Sequence, residues 1–270
     1  MAIRVRHHGS AGADVVVLHG GPAAPGSVGD LARALGAWFR VHEPWQRRAD
    51  DRPLGVARHV EDLAAAAPAS AVVVGHSAGA MWGLSYAAAH PQRVLGLVLI
   101  GCGTYDTASR SLFRQRMDAA RGDEGRRRYD ELRAALDATN DEATRDHLLT
   151  ALGELADAAM DPDALPVPDD PDAPPVDARG HAETWADHVR LQAEGSEPAA
   201  FAAFRGPVVL LQGTADPHPG EAIRDTLLPH LPQLVYEPLP GAGHAPWRSR
   251  THGAHTVARI RHHVEAMARP

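Results

Sequence analysis

Residues 71–79 read AVVVGHSAG. Four small or β-branched residues, Ala71 to Val74, suit a buried strand, and small helix-compatible residues, AMWGLSYAAAH, continue from Ala80. Between them stands one serine, Ser77, with Gly75 and Gly79 two positions to either side. A serine that presents its hydroxyl from the turn between a strand and a helix sits on strained backbone. Side chains two residues away would collide with that turn, which explains both glycines. Strand, glycine-flanked serine, helix is the order of a nucleophile elbow.

Working outward, the flanking segments alternate strand and helix. Ile3 to His7 alternates apolar and polar residues and predicts an edge strand, and Ala13 to Leu18 a buried parallel strand. A helix is predicted over Gly29 to Phe39, where Leu31, Leu35 and Trp38 share one side. Arg40 to Pro44 reads as a short strand, Val56 to Ala67 as a helix, and Val94 to Ile100 as another buried strand. This order predicts a parallel sheet covered on both faces.

The next strand-like run, Val208 to Gln212, comes about a hundred residues later. Between the two lie helix-like stretches at Ser109–Arg121, Glu124–Ala138, Asp141–Met160 and Ala182–Glu194. An acidic, proline-dense connector, Asp161 to Asp177, separates the last two, and its prolines predict a loop. The expectation is an α/β core over 1–103 and 206–270 with an inserted helical cap over 104–205. Alternation resumes with a helix near Gly220–Leu228, a strand at Leu234–Pro238 and a final helix, Thr251–Ala268.

Bulk composition narrows the chemistry. The chain has 270 residues, 44 % hydrophobic and 23 % charged, as in an ordinary globular protein. A net charge of −7 argues against nucleic acid as a partner. All 27 basic residues are arginine, which excludes Schiff-base and serine–lysine chemistry. The single cysteine, Cys102, permits no internal disulfide, and no apolar run approaches the length of a membrane span. The expectation is a cytoplasmic protein, monomer or homodimer, with a small-molecule substrate and neither membrane partner, metal nor cofactor.

A serine hydroxyl near neutral pH needs a histidine base, itself oriented by a carboxylate. In an open parallel sheet such groups gather beyond the carboxyl ends of strands. Asp216 follows the Val208–Gln212 strand and His244 follows Leu234–Pro238, so Ser77, Asp216 and His244 each come after a strand, in that chain order. Asp106, beyond the Ile100 strand, is a rival for the acid. The oxyanion formed on attack needs two backbone N–H donors. Ala78, directly after the serine, supplies one, and Gly21 in His19-Gly20-Gly21-Pro22 supplies the other, with His19 bracing that loop. Gly20, His76, Trp185 and His218 are candidates to touch substrate. Trp82, Trp247, Met81 and Cys102 are weighed as pocket lining against a plainer place in the core.

Taken together, HGGP, GHSAG, the aspartate of GTADPHPG and the histidine of GAGHAPW resemble the α/β-hydrolase superfamily. The resemblance is to its capped bacterial serine hydrolases, including esterase and proline iminopeptidase-like branches. It implies an eight-stranded, mostly parallel sheet, here with one of the first strands reduced or missing. The implied activity is cleavage of a small or medium carboxylic ester or lactone through a Ser-His-Asp triad and an acyl-enzyme. Alternatives on the same scaffold are an aminopeptidase, a C–C bond hydrolase and a non-catalytic ligand-binding protein. The aminopeptidase would need acidic cap residues, and Glu183 and Glu194 are the candidates. It also departs from the pattern, because iminopeptidases carry tryptophan where this chain has Ala78.

Overall fold

The computed structural model describes residues 3–167 and 170–269. In chain order the elements are β1 (Val5–His8), β2 (Asp14–Leu18), α1 (Gly29–Leu35), β3 (Arg40–Pro44), α2 (Val56–Ala66), β4 (Ala71–His76), α3 (Ala78–Ala89) and β5 (Val94–Ile100). They continue with α4 (Thr107–Ala138), α5 (Glu142–Met160), α6 (Ala178–Ala193), β6 (Val208–Gly213), α7 (Gly220–Leu227), β7 (Leu234–Leu239) and α8 (Gly253–Met267). The strands form one sheet in the order β1-β3-β2-β4-β5-β6-β7. β1 runs antiparallel to β3 and the other pairings are parallel. Seven strands among the described residues are one fewer than the resemblance implies.

Side chains alternate across a strand, so an unbroken apolar run serves two cores at once. Val16, Leu18, Val73, Leu97, Leu99 and Leu210 face one layer, where Leu63 of α2, Leu84 of α3 and Ile223 of α7 meet them. Val15, Val17, Val72, Val74, Val98, Ile100, Val209 and Leu211 face the other, against Leu31 and Leu35 of α1 and Ile260 and Val264 of α8. Each such fully buried aliphatic side chain contributes about 1.5–3 kcal/mol. β4 and β5 are packed in this way on both sides, which makes the end of β4 a rigid support.

The three helices between β5 and β6 follow the expected division. Gly122, at φ 64° and ψ −173°, breaks α4 where the sequence predicts the end of one helix and the start of the next. α6 begins one turn earlier than expected because Asp177 caps it, accepting from the Gly180 N–H at 2.9 Å. α6 is also fastened to the loop before α2. The N–H groups of Leu54 and Val56 donate to Glu183 and Asp187, each at 2.8 Å. Thr184 Oγ1 donates to the Leu54 carbonyl at 2.8 Å and accepts from His59 Nε2 at 2.9 Å. The described part of the Asp161–Asp177 connector is irregular apart from a single bridge from Ala164 to Ser249; its positions 168 and 169 lie outside the described residues. Among the described residues no helix is long and apolar enough to cross a membrane.

Candidate active site

Ser77 stands between β4 and α3 at φ 54° and ψ −119°, a region that non-glycine residues enter only when the surroundings hold them there. Its N–H donates to the Ile100 carbonyl at 2.9 Å. A side chain at Gly75 would come within 2.4 Å of the Gly79 carbonyl, and one at Gly79 within 2.5 Å of the Leu18 and His19 carbonyls. The elbow therefore closes only with glycine at both places. Ser77 itself is partly exposed while His76 and Ala78 on either side are buried.

The loops after β6 and β7 cross at very short range. A Cβ on Gly213 would sit 2.1 Å from the Gly243 carbonyl, and Ala215 N–H donates to the Ala242 carbonyl at 3.0 Å. This crossing brings Asp216 and His244 together, with His244 Nδ1 at 2.8 Å from Asp216 Oδ2. Gln212 Nε2 donates to the same oxygen at 2.6 Å. The other oxygen, Oδ1, accepts from the His218 backbone N–H at 2.8 Å and lies 2.9 Å from His218 Nδ1. Four donors thus satisfy all the lone pairs of one buried carboxylate.

The electrostatics follow from that arrangement. Burial disfavours the Asp216 charge, yet His244, His218 and their hydrogen bonds outweigh it and hold the carboxyl well below the usual carboxylate range. Burial likewise disfavours a charged His244, but the Asp216 carboxylate prevails and raises its pKa to about 9. With Nδ1–H committed to Asp216, His244 keeps Nε2 as its acceptor. No hydrogen bond joins that nitrogen to the Ser77 hydroxyl among the described residues. His76 Nε2 donates to the His244 carbonyl at 3.2 Å, and burial holds His76 neutral, far below the ordinary histidine value. Its ring lies 4.7 Å from that of His244 and edge-on to Trp247 at 4.6 Å.

The turn after β2 runs alongside the serine. A Cβ on Gly20 would lie 3.1 Å from both Ser77 Cβ and His76 Nδ1, and Gly21 has φ +114°. His19 braces the turn as expected: Nδ1 donates to the Gly20 carbonyl at 2.9 Å and Nε2 accepts from Gln46 N–H at 3.1 Å. Burial lowers its pKa to about 4, so it is neutral. Gln46 Oε1 accepts from Ala23 N–H at 2.9 Å. The Ala78 N–H belongs to the first turn of α3, where backbone donors lack a partner within the helix.

The remaining candidates have other contacts. Asp106 caps α4 instead, accepting from Ser109 N at 2.7 Å and Ser109 Oγ at 2.6 Å, and from Thr226 at 3.1 Å. Trp185 packs, partly buried, against the core on the α3 side. Glu194 pairs with Arg190 at 2.6 Å on the exposed face of α6, and Glu183 pairs with Arg179 while holding the Leu54 N–H. Met81, Trp82 and Cys102 are core residues, and burial pushes the Cys102 thiol up to about 12. Asp216, His218 and His244 each offer a potential ligand atom within 4.8 Å of the others.

Sequence reasoning missed Gln212, Gln46, Asp161 and Phe113. Asp161 Oδ1, at the end of α5, accepts from Ala245 N–H at 2.8 Å. The phenyl ring of Phe113 in α4 stacks on His218 at 4.1 Å. Gln212 carried a signal, a polar residue closing the apolar run of β6; the other three act across loops that only tertiary structure brings together.

The family described as alpha/beta hydrolase fold matches residues 47–244. A search of curated protein sequences found no match. Among solved structures, a thermophilic esterase from Thermogutta terrifontis is 18 % identical, over 99 % of this chain and 94 % of that one, with a TM-score of 0.63. The esterase RhEst1 from Rhodococcus sp. ECU1013 is 20 % identical over 99 % and 100 %, with a TM-score of 0.62. Est816, described as an N-acyl homoserine lactone degrading enzyme, is 18 % identical over 96 % of each chain, with a TM-score of 0.57. With a family match spanning nearly three-quarters of its length, the elbow at Ser77 and a parallel sheet to carry it, the chain belongs to the alpha/beta hydrolase family.

Proposed function

We propose that the protein is a serine hydrolase that cleaves a small or medium carboxylic ester or lactone. Ser77 Oγ attacks the carbonyl carbon as its proton passes to His244 Nε2, and Asp216 keeps the Nδ1–H tautomer and supports the imidazolium that forms. The N–H groups of Gly21 and Ala78 donate to the developing oxyanion. His244 then returns the proton to the leaving alkoxide, giving an acyl-Ser77 ester. Water, deprotonated by the same imidazole, hydrolyses that ester and frees the acid. The chemistry uses no cofactor. Residues 104–205 act as a cap over the centre, with Gly20, His76, Trp185 and His218 at the edge of the substrate space.

The observations that support this reading are the buried Asp216–His244 hydrogen bond, 2.8 Å long, and a serine held at φ 54° directly after His76, which hydrogen-bonds the His244 carbonyl. The esterases and the lactone-degrading enzyme among the similar folds support the ester and lactone class. A panel of p-nitrophenyl esters of rising chain length, lactones and aminoacyl anilides tests it. Esters or lactones should turn over in preference to anilides, and Ser77→Ala should lower kcat by about 10⁶ with the melting temperature preserved. A Ser77→Ala protein retaining a thousandth of wild-type rate would sink the assignment.

A further inference from the structure

The triad needs one imidazole, yet Asp216 serves two. His218 Nδ1 lies 2.9 Å from Oδ1 and His244 Nδ1 2.8 Å from Oδ2. The two rings stack nearly parallel, 16° apart with centroids at 4.5 Å. On its other face His218 meets Phe113 of α4, at 4.1 Å and 28°. His244 is therefore held at its Nδ1 edge by the carboxylate and across one face by a second ring, itself backed by the helical segment between β5 and β6.

We propose that His218 is a positioning residue for His244: it shares Asp216 with that ring, covers its face, and ties it through Phe113 to α4. The inference rests on the serine-hydrolase reading for its consequence in catalysis and on geometry alone for the coupling of the two rings. Free rotation of His244 would swing Nε2 away from Ser77, and misplacement by about 1 Å costs on the order of a hundredfold in rate. A stacked ring on one face and a carboxylate at the edge remove that freedom.

Sharing the carboxylate has a second effect. The His218 N–H draws on the same negative charge that favours protonation of His244. The groups facing His244 are Asp216 and His218 from the loop after β6, His76 from β4, and Asp157 and Asp161 from α5. Those facing His218 are Asp216, His244 and, from α4, the uncharged Phe113. Deleting the His218 donor leaves Oδ1 with only a backbone N–H, so His244 holds its proton more strongly.

Two variants separate edge from face. His218→Phe keeps a ring for stacking and removes the donor; His218→Gln keeps an N–H donor and removes the ring. We expect His218→Phe to move the acid limb of kcat/KM, and the His244 ring titration followed by NMR, to higher pH by about half a unit. His218→Gln should leave the limb in place and lower kcat about tenfold with KM little changed, and Phe113→Ala should do the same to a smaller extent. Melting temperatures check that each variant is folded. Variants that are folded and match wild type within twofold in kcat and within about 0.1 unit in both titrations overturn the inference. Should wild type fail to react at Ser77 while the NMR titration still moves in His218→Phe, the hydrolase reading fails and the ring coupling stands.

Discussion

Ser77, Asp216 and His244 lie 139 and 28 residues apart in the chain, yet each is fixed by contacts that leave it no alternative place. Glycine at 75 and 79 lets the elbow close, and glycine at 213 lets the Asp216 and His244 loops cross. Those residues are legible in a sequence because the proposed chemistry and the close backbone approaches each demand a residue type. Gln212 and Phe113 are less so, since many side chains could fill a place beside a carboxylate or a ring. His218 is an intermediate case: the sequence marks it as near the site, and the structure turns it toward Asp216 and not into open space. The raised pKa of His244 has a kinetic consequence at this scale. A general base acts only when neutral, so raising its pKa moves the acid limb of activity upward. We expect kcat/KM for a p-nitrophenyl ester to fall with acidification along a limb above pH 6.5, on the way to about 9. A limb below 6.5 would show that Asp216 does not dominate the environment of His244.

Among the elements, the buried strands were the most legible because apolar runs of β2, β4, β5 and β6 have no other stable home than a sheet covered on both faces. Boundaries were less so. α1 stops at Leu35 and not Phe39 because Gly36 packs against the His8–Gly9 turn, where even a Cβ would stand 3.0 Å from His8 Cβ. Short turns at Pro91–Arg93, Ala199–Ala203 and Pro246–Arg248 have no periodicity to announce them. The tether of α6 was invisible for a similar reason: Thr184, Asp187 and Glu183 look like ordinary helix residues until Leu54 and Val56 are placed beside them. Thr184 is fully buried and bridges Leu54 and His59. Thr184→Val keeps the shape and strands both partners, so the protein should lose about 1–3 kcal/mol. Urea unfolding would register this as a lower midpoint at unchanged slope, and an unaltered midpoint would show that the tether carries no stability.

For the molecule as a whole, buried histidines set the dependence of stability on pH. Burial lowers the pKa of His19 and His181 to about 4 and of His59 to about 3. Unfolded, each titrates near 6.5, so between about 6.5 and 4 the unfolded chain binds more protons and stability falls with acidification. Asp216, its carboxyl held low in the fold, adds a further loss below about pH 4. His244 acts in the opposite sense: its raised value contributes stability below 6.5 that is lost as pH rises toward about 9. The melting temperature should peak near pH 7 and drop by at least about 5 °C by pH 4.5. A flat profile from 7 to 4.5 would mean that these rings are not buried neutral. The layered fold and the placement of Ser77, Asp216 and His244 after strands were legible in the sequence, whereas the packing of the helices between β5 and β6 was not, since they are polar and mostly exposed. The proposed nucleophile is one serine, Ser77, armed by the His244–Asp216 pair. Treating the protein with a fluorophosphonate probe and mapping the adduct by mass spectrometry tests it directly. A single adduct is expected on Ser77, absent in Ser77→Ala and formed faster as pH rises through the His244 titration; no adduct, or one on another residue, would rule out Ser77 as the nucleophile.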